Sequence, residues 1–429
     1  MNDAGGFYNL SSAPGSVFEG NYIRMPEPST ALRGGLYFDE GSRYWTVRDN
    51  VLDVERAQLF NQRPNNHTGD NTYVDNWVVG ASADFAGRGN VVSGSVQLGR
   101  GETVPPKAAR IIYNSGVSPR LRDAPDPTRP ELAVEMSAES DAVEPGSNVT
   151  ATAKLTNLSE DLVLSGLRLT ATVPEGWRVS PAGNTPASLK PGRTSSVELV
   201  VTAPATASVP IDAGTVRVTV DYSVYGTRNS GSGRVTALVV SPLTSLSSFG
   251  SVPSTFGELA GVYAIHNAGA DIWGGGGQND DEYGTVYSPD AAHDGSVVTV
   301  RVDAVEEINP WTKAGLVLRN DVTAARQGQG YVVMVATPGN GVSLQWDSNA
   351  DGLLDQWRQT GGVTAPVWLR LARSGDRVTG SYSNDGTTWT QLGAPVTLTG
   401  AAADQDAGMI YTSHSTQAGQ ATFSEFSID

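Results

Sequence analysis

Gly5-Gly6-Phe7-Tyr8 returns 29 residues later as Gly34-Gly35-Leu36-Tyr37, and the same offset carries Asn21-Tyr22-Ile23 onto Asn50-Val51-Leu52. Gly15-Ser16 and Gly41-Ser42 keep the pattern with a small slip. Shorter segments follow at Thr72-Tyr73-Val74-Asp75-Asn76-Trp77-Val78-Val79 and Gly89-Asn90-Val91-Val92-Ser93. Each is a strand-length run in which Asn adjoins β-branched or aromatic residues, closed by Gly, Asp or Pro. Short strands repeating every 20–30 residues or so, with no amphipathic helices between them, predict a β-solenoid. In such a coil an Asn at a bend bonds its side chain to the neighbouring coil and builds a ladder. An ordinary β-sandwich with look-alike hairpins is the alternative.

Beyond the repeat the texture changes twice. Pro119, Pro125, Pro127 and Pro130 interrupt a polar stretch over 111–130 that reads as a linker or solenoid cap. From Glu131, alternating runs such as Val149-Thr150-Ala151-Thr152-Ala153-Lys154-Leu155 and Val216-Arg217-Val218-Thr219-Val220 are separated by Pro145-Gly146, Pro174-Glu175-Gly176 and Pro191-Gly192. Short strands at this spacing predict an immunoglobulin-like β-sandwich over 130–241, with Trp177 in its core. Leu243 to Glu258 is small and hydroxylated, as in a linker or an ill-defined first strand. The stretch 258–429 then holds six of the nine tryptophans and strand-like runs without helical periodicity, which predicts an all-β jelly-roll.

Composition narrows the function. Apolar residues make up 39% and charged residues 17%, while Gly and Pro total 73 of 429, so several turn-rich cores are expected. The net charge is −16, of which residues 243–429 carry −12 (8 basic, 20 acidic). That field repels phosphate backbones, so nucleic acid is excluded as a partner, while divalent cations and neutral ligands stay open. The absence of cysteine removes disulfides and thiolate chemistry. No apolar run reaches the roughly 20 residues of a membrane span. Met1 to Tyr8 lacks the basic and apolar regions of a signal peptide and reads as mid-domain sequence.

Three resemblances follow from these residues. The run from Gly35 to Val51, through Asp39-Glu40-Gly41-Ser42-Arg43-Tyr44-Trp45, is similar to the terminal coils of right-handed parallel β-helix carbohydrate-active proteins. Pro174-Glu175-Gly176-Trp177-Arg178-Val179 with Leu189-Lys190-Pro191-Gly192 resembles the NEW3 domain that accompanies galactosidases, across roughly 130–205. Residues 258–429 resemble the concanavalin-like accessory modules of secreted bacterial enzymes. The matching motifs are Gly269-Ala270-Asp271-Ile272-Trp273-Gly274, Trp311 to Arg319, and Ser383-Asn384-Asp385-Gly386-Thr387-Thr388-Trp389. Together they imply an all-β chain: truncated β-helix coils (1–125), an immunoglobulin-like sandwich (130–241) and a concanavalin-like jelly-roll (258–429). The implied parent is extracellular, with further coils upstream. The implied role is a non-catalytic glycan-binding and spacing assembly for polysaccharides. A glycoside hydrolase with its site on the coils, and an extracellular structural or adhesion protein, are the rival expectations.

Two constellations carry candidate chemistry. Glycoside hydrolysis needs two carboxyls about 5–5.5 Å or 6.5–9.5 Å apart, for which Asp3, Asp39, Glu40, Asp49 and Asp70 are available. Asp39 and Glu40 lead, but as neighbours on a strand they face opposite sides and cannot flank one bond, so either would pair with a residue from a neighbouring coil. Tyr37, Tyr44 and Trp45 offer faces for a sugar, and His67 a binding or proton-shuttling group. Asp39-Glu40-Gly41-Ser42 is equally a turn capped by Asp, and Trp45 equally a core residue. In Asp347-Ser348-Asn349-Ala350-Asp351-Gly352-Leu353-Leu354-Asp355 the side chains of Asp347, Asn349, Asp351 and Asp355 and the Leu353 carbonyl match the spacing of a Ca²⁺ loop, with Gly352 at its turn. Arg358 stands where a bidentate Glu is expected. An Asx-rich hairpin is the other reading. Gln278-Asn279-Asp280-Asp281-Glu282 is a second acidic spot, read as a solvated loop.

Overall fold

A computed structural model describes residues 5–25, 34–54, 68–79, 88–98, 103–122, 124–126, 128–275 and 280–429. The fold is all-β, with small parallel sheets near the N-terminus and antiparallel sheets after them. The chain forms two compact units. One comprises residues 1–141, 148–202 and 214–237, and the other residues 142–147, 203–213 and 238–429.

In the first unit the repeat becomes parallel pairing. Gly5 lies opposite Gly34, Phe7 opposite Leu36 and Tyr8 opposite Tyr37. One sheet stacks Val17–Glu19, Thr46–Arg48, Thr72–Val74 and Val91–Ser93; another stacks Tyr22–Met25, Val51–Val54, Trp77–Val79 and Val96–Leu98. Ile23 faces Leu52 at the expected offset. The match of Gly15-Ser16 to Gly41-Ser42 does not hold, because Val17 lies opposite Thr46 and so sets Ser16 level with Trp45.

Equivalent bends explain the Asn positions. Gly20, Asp49, Asp75 and Gly94 all adopt left-handed backbone, at φ of 68°, 55°, 50° and 61°, a conformation that Gly and Asp tolerate best. Each precedes a ladder residue. Asn21 Nδ2 donates to Asn50 Oδ1 (3.0 Å), Asn50 Nδ2 to Asn76 Oδ1 (3.0 Å) and Asn76 Nδ2 to Ser95 Oγ (3.2 Å). Asn50 and Asn76 are fully buried, so the ladder satisfies polar groups that water does not reach. Inside the coils Leu36, Phe38, Val47, Leu52, Tyr73 and Val78 form the core, with Phe7, Phe18 and Trp45 packed against it.

A helix follows the coils, Pro106–Asn114, where no helix was expected. Proline opens it, where its missing N–H costs nothing. Ala108, Ile111 and Ile112 share one face and pack with Val51, Trp77 and Leu98. Lys107 reaches Asp49 (2.6 Å) and Asp75 (2.7 Å), which closes the helix onto two of the bends. Tyr113 then packs with Ala133 and Leu158 of the following sandwich. That sandwich sets a sheet containing Leu132–Ala138, Asn148–Asn157, Thr194–Thr202 and Arg178–Pro181 beside one containing Leu164–Thr172 and the long strands Ile211–Val224 and Thr227–Val240. Trp177 is buried, and its ring so crowds Gly214 that a Cβ there would lie 2.1 Å from it.

In the second unit a seven-stranded sheet runs Ser247–Gly250, Gly284–Ala292, Gln405–Thr412, Lys313–Arg319, Val332–Thr337, Gly341–Trp346 and Gln356–Thr360. An eight-stranded sheet includes Ser254–Leu259, Val262–Gly269, Ser415–Ile428, Val297–Val305 and Val367–Ser374. The stretch before 258, read as a linker or an ill-defined first strand, supplies two strands. Leu316, Leu318, Met334, Leu344, Val300, Leu369 and Met409 fill the main core. The alternate residues Val317, Val333, Val335 and Ile410 form a second core with Ile272, Tyr283, Tyr331 and Leu354. The seven-stranded sheet is therefore buried on both faces around Lys313–Arg319, whose every residue is buried.

The ladder yields a test. Asn50→Ala removes the acceptor of Asn21 and the donor to Asn76, and each buried polar group left without a partner costs about 1–3 kcal/mol. We expect amide exchange of Thr46–Val54 and Thr72–Val79 to accelerate at least tenfold, with Lys313–Arg319 unchanged. Unchanged protection in the coils would show that the ladder does not hold them.

Candidate functional site

The outer face of the seven-stranded sheet carries a positive charge at each end of one buried strand. Arg319 has no exposed surface. Its guanidinium donates to Asp281 Oδ2 (2.9 Å), Tyr283 Oη (2.9 Å) and the carbonyls of Gly328 (2.8 Å) and Gly352 (2.8 Å), and lies 4.0 Å from the Tyr331 ring centre. Asp281 is likewise buried; burial pushes its carboxyl up, and Arg319 opposes that shift. Lys313, at the other end, is 2% exposed and forms an ion pair with Asp271, itself 7% exposed. His414 Nδ1 lies 3.2 Å from the other Asp271 oxygen. Burial resists ionisation of Asp271, but His414 and the Lys313 ammonium outweigh it and hold the carboxyl below its ordinary value. Burial pulls Lys313 down, against the pull of Asp271.

Above this trio opens a cavity of about 670 Å³, walled by Trp273, Trp311 and Trp357 and lined also by Gln345, Asp355 and Gln359. Trp357 is 57% exposed and stands perpendicular to Trp273, with ring centres 5.4 Å apart. Strand register places Trp357 directly across from Gln345. Trp273 is fixed by an isolated bridge to Leu354, and Gly274 N donates to the Leu354 carbonyl (2.8 Å). Three aromatic walls over a buried polar floor suit a ligand with an apolar face and a hydroxylated edge.

The residues expected to act on the coils are placed otherwise. Asp39 Oδ1 accepts from Glu40 N (2.8 Å) and Asp39 Oδ2 from Tyr8 Oη (2.9 Å), while Ser42 N donates to the Asp39 carbonyl (3.0 Å). Asp39 and Glu40 thus sit in a turn that Asp39 caps. Tyr37 is 1% exposed and edge-on to Tyr8 (5.3 Å), so it offers no face to a sugar. Trp45 turns inward onto Phe7 and Phe38, 5.7 Å from each, because its position faces the coil core. Tyr44 is exposed beneath the Arg43 guanidinium, at 5.1 Å. Asp49 pairs with Lys107 and Asp70 with Arg43. His67 and Asp3 lie outside the described residues, as do Gln278 and Asn279. Asp281, read as part of a solvated loop, is instead the buried partner of Arg319.

The expected calcium set is not assembled either. Asp347 Oδ1 accepts from the amides of Asn349 (3.1 Å) and Ala350 (2.8 Å), and its Oδ2 from Gly352 N (2.9 Å). Asp351 accepts from Leu353 N (3.0 Å) and the Asn349 side chain (3.0 Å); Asp355 accepts from Ser348 N (2.9 Å) and Oγ (2.8 Å). The carboxylates face N–H and O–H groups of their own loop. Among the described residues no three His, Asp or Glu side chains gather where they could hold a metal ion. The donor set therefore does not fit Ca²⁺ as arranged. What the loop does is carry Leu354 to Trp273 and Asp355 to the cavity. Asp271 and Lys313 were within the motifs quoted above, yet their role was missed. The available signal was a lone Lys at the start of the apolar run Lys313-Ala314-Gly315-Leu316-Val317-Leu318.

Comparison with known proteins places one segment. Residues 143–224 match the NPCBM-associated, NEW3 domain of alpha-galactosidase. No curated protein matches the chain. Among solved structures, a functionally unknown protein from Saccharomyces cerevisiae is 18% identical, with 43% of this chain and 95% of that chain covered and a TM-score of 0.35. The VIP36 exoplasmic/lumenal domain in its Ca²⁺/Man3GlcNAc-bound form is 9% identical, with 43% and 83% covered and a TM-score of 0.28. A GH43 protein, BlXynB, from Bacillus licheniformis is 11% identical, with 64% and 61% covered and a TM-score of 0.26. No helix among the described residues is long and apolar enough to cross a membrane.

The self-capped loop makes an opposite forecast from a metal site. Asp347→Asn turns an amide N–H toward a backbone N–H and should cost about 1–3 kcal/mol. Melting curves should show that loss equally in Ca²⁺ and in chelator. A calcium-dependent rise in the wild type that the variant lacks would restore the metal assignment.

Proposed function

We propose that this chain is a non-catalytic, carbohydrate-binding and spacing portion of an extracellular polysaccharide-active protein. The observation that carries it is the tryptophan-walled cavity over Asp271, Lys313 and His414, which we assign to a glycan. The match of 143–224 to a galactosidase-associated domain supports a carbohydrate setting for the whole. On this view 1–125 and 130–241 space and carry the module at 258–429. Glycan binding at an aromatic wall needs no strained groups and no activated nucleophile, only faces and positioned polar atoms. A hydrolase on the coils is the weaker alternative, since the Asp39 carboxylate is engaged by its own turn and by Tyr8.

Affinity electrophoresis and calorimetry on soluble polysaccharides test both. Trp357 is exposed, so Trp357→Ala should leave folding intact while weakening glycan retention about tenfold, the ~1.4 kcal/mol expected of a stacking anchor. No sugar release is expected from any polysaccharide. Turnover abolished by Asp39→Asn, or retention indifferent to Trp357→Ala, would overturn the proposal.

A further inference from the structure

We infer that the cavity selects uncharged, hydroxyl-donating pyranosides and rejects uronic acids; this rests on the glycan assignment above. The deciding group is Gln345, only 4% exposed on the cavity floor. Its Nε2 donates to Ser343 Oγ (3.3 Å). Ser343 spends its single hydroxyl hydrogen on the Arg358 carbonyl (3.2 Å), so toward Gln345 it can only accept. That fixes the amide orientation, which geometry alone leaves open. Gln345 Oε1 is then a buried acceptor with no partner in the protein. Its donor must come from the cavity, from water when the site is empty and from the ligand when it is filled, so a ligand that displaces the water without bringing a donor binds less well.

The charged groups point the same way. Lys313 is the buried cation of the cavity, and Asp271 already neutralises it. Asp355 adds a carboxylate to the lining, holding only two hydrogen bonds from Ser348 and so retaining open lone pairs. His414 turns Nδ1 toward Asp271, which leaves one ring nitrogen for the ligand. A ligand carboxylate would therefore face Gln345 Oε1 and Asp355 with no unspent ammonium or guanidinium to receive it. The surrounding segment, at −12 over residues 243–429, opposes an anion at longer range as well. A neutral pyranose meets both demands, with its ring face on Trp357 and Trp273 and its hydroxyl hydrogens toward the acceptors.

The test uses the full chain and matched probes: gluco-, galacto-, manno- and xylo-oligosaccharides against oligomers of glucuronic and galacturonic acid. Calorimetry at physiological salt should show at least one neutral series bound about tenfold or more tighter than any acidic one. Gln345→Leu, which removes the acceptor and keeps the volume, should lower that affinity about tenfold while the protein stays folded, as a cooperative melting transition shows. Should Gln345→Leu not fold, Asp355→Asn at the partly exposed wall serves instead, and it should narrow the neutral-to-acidic ratio. Acidic oligomers bound as tightly as neutral ones, or a ratio that neither variant moves, would overturn the inference and leave the glycan assignment standing. Binding of neither class would overturn the glycan assignment itself.

Discussion

Arg319 is the tie on which the outer face of the seven-stranded sheet depends. It has no exposed surface, and it meets a carboxylate, a phenol and two carbonyls drawn from separate loops. Such an ion pair adds little net stability against an apolar substitute, but removing one partner strands the other charge and costs about 3–5 kcal/mol. Its function is therefore to make one loop arrangement far better than the rest. Through Gly352 it holds the turn that presents Leu354 to Trp273, and through Asp281 and Tyr283 it holds the segment after the cavity wall. The walls of the cavity are thus tied from beneath.

The coils solve the same accounting problem without charge. Every coil turns through left-handed bends, and the amides at those bends are met by side-chain oxygens stacked from one coil to the next. Asp39 and Asp347 obey that rule too. Both carboxylates look like chemistry in the sequence, yet Asp347 is spent on backbone N–H groups of its own turn and Asp39 on one such N–H and the Tyr8 hydroxyl. Acidic residues beside glycine are thus ambiguous until their hydrogen bonds are known.

The functional weight accordingly moves away from the coils and toward the last segment. The cavity collects tryptophans, a neutralised ion pair and an amide oxygen without a protein partner, the groups on which the proposed glycan reading rests. Residues 143–224 match the NEW3 domain. Its Trp177, fixed against Gly214, belongs to packing and not to recognition.

What the sequence by itself determined was periodic. The 29-residue offset became residue-for-residue parallel pairing because stacked coils must repeat their bends in register, and an Asn that ladders must recur with them. The alternation after Glu131 became two sheets for the equivalent reason: a strand half-buried on one face writes that face into every second residue. The helix Pro106–Asn114 was also written there, in Ala108, Ile111 and Ile112, but a nine-residue segment after a proline pair is too short to declare itself. The cavity was not legible at all. Asp271, Lys313, Gln345, Trp357 and His414 come from separate loops and strands, and only sheet order and register bring them to one face. Whether a carboxylate caps a turn, pairs with a cation or faces a ligand depends on which donors reach it first, and that is decided by tertiary contacts no local pattern records.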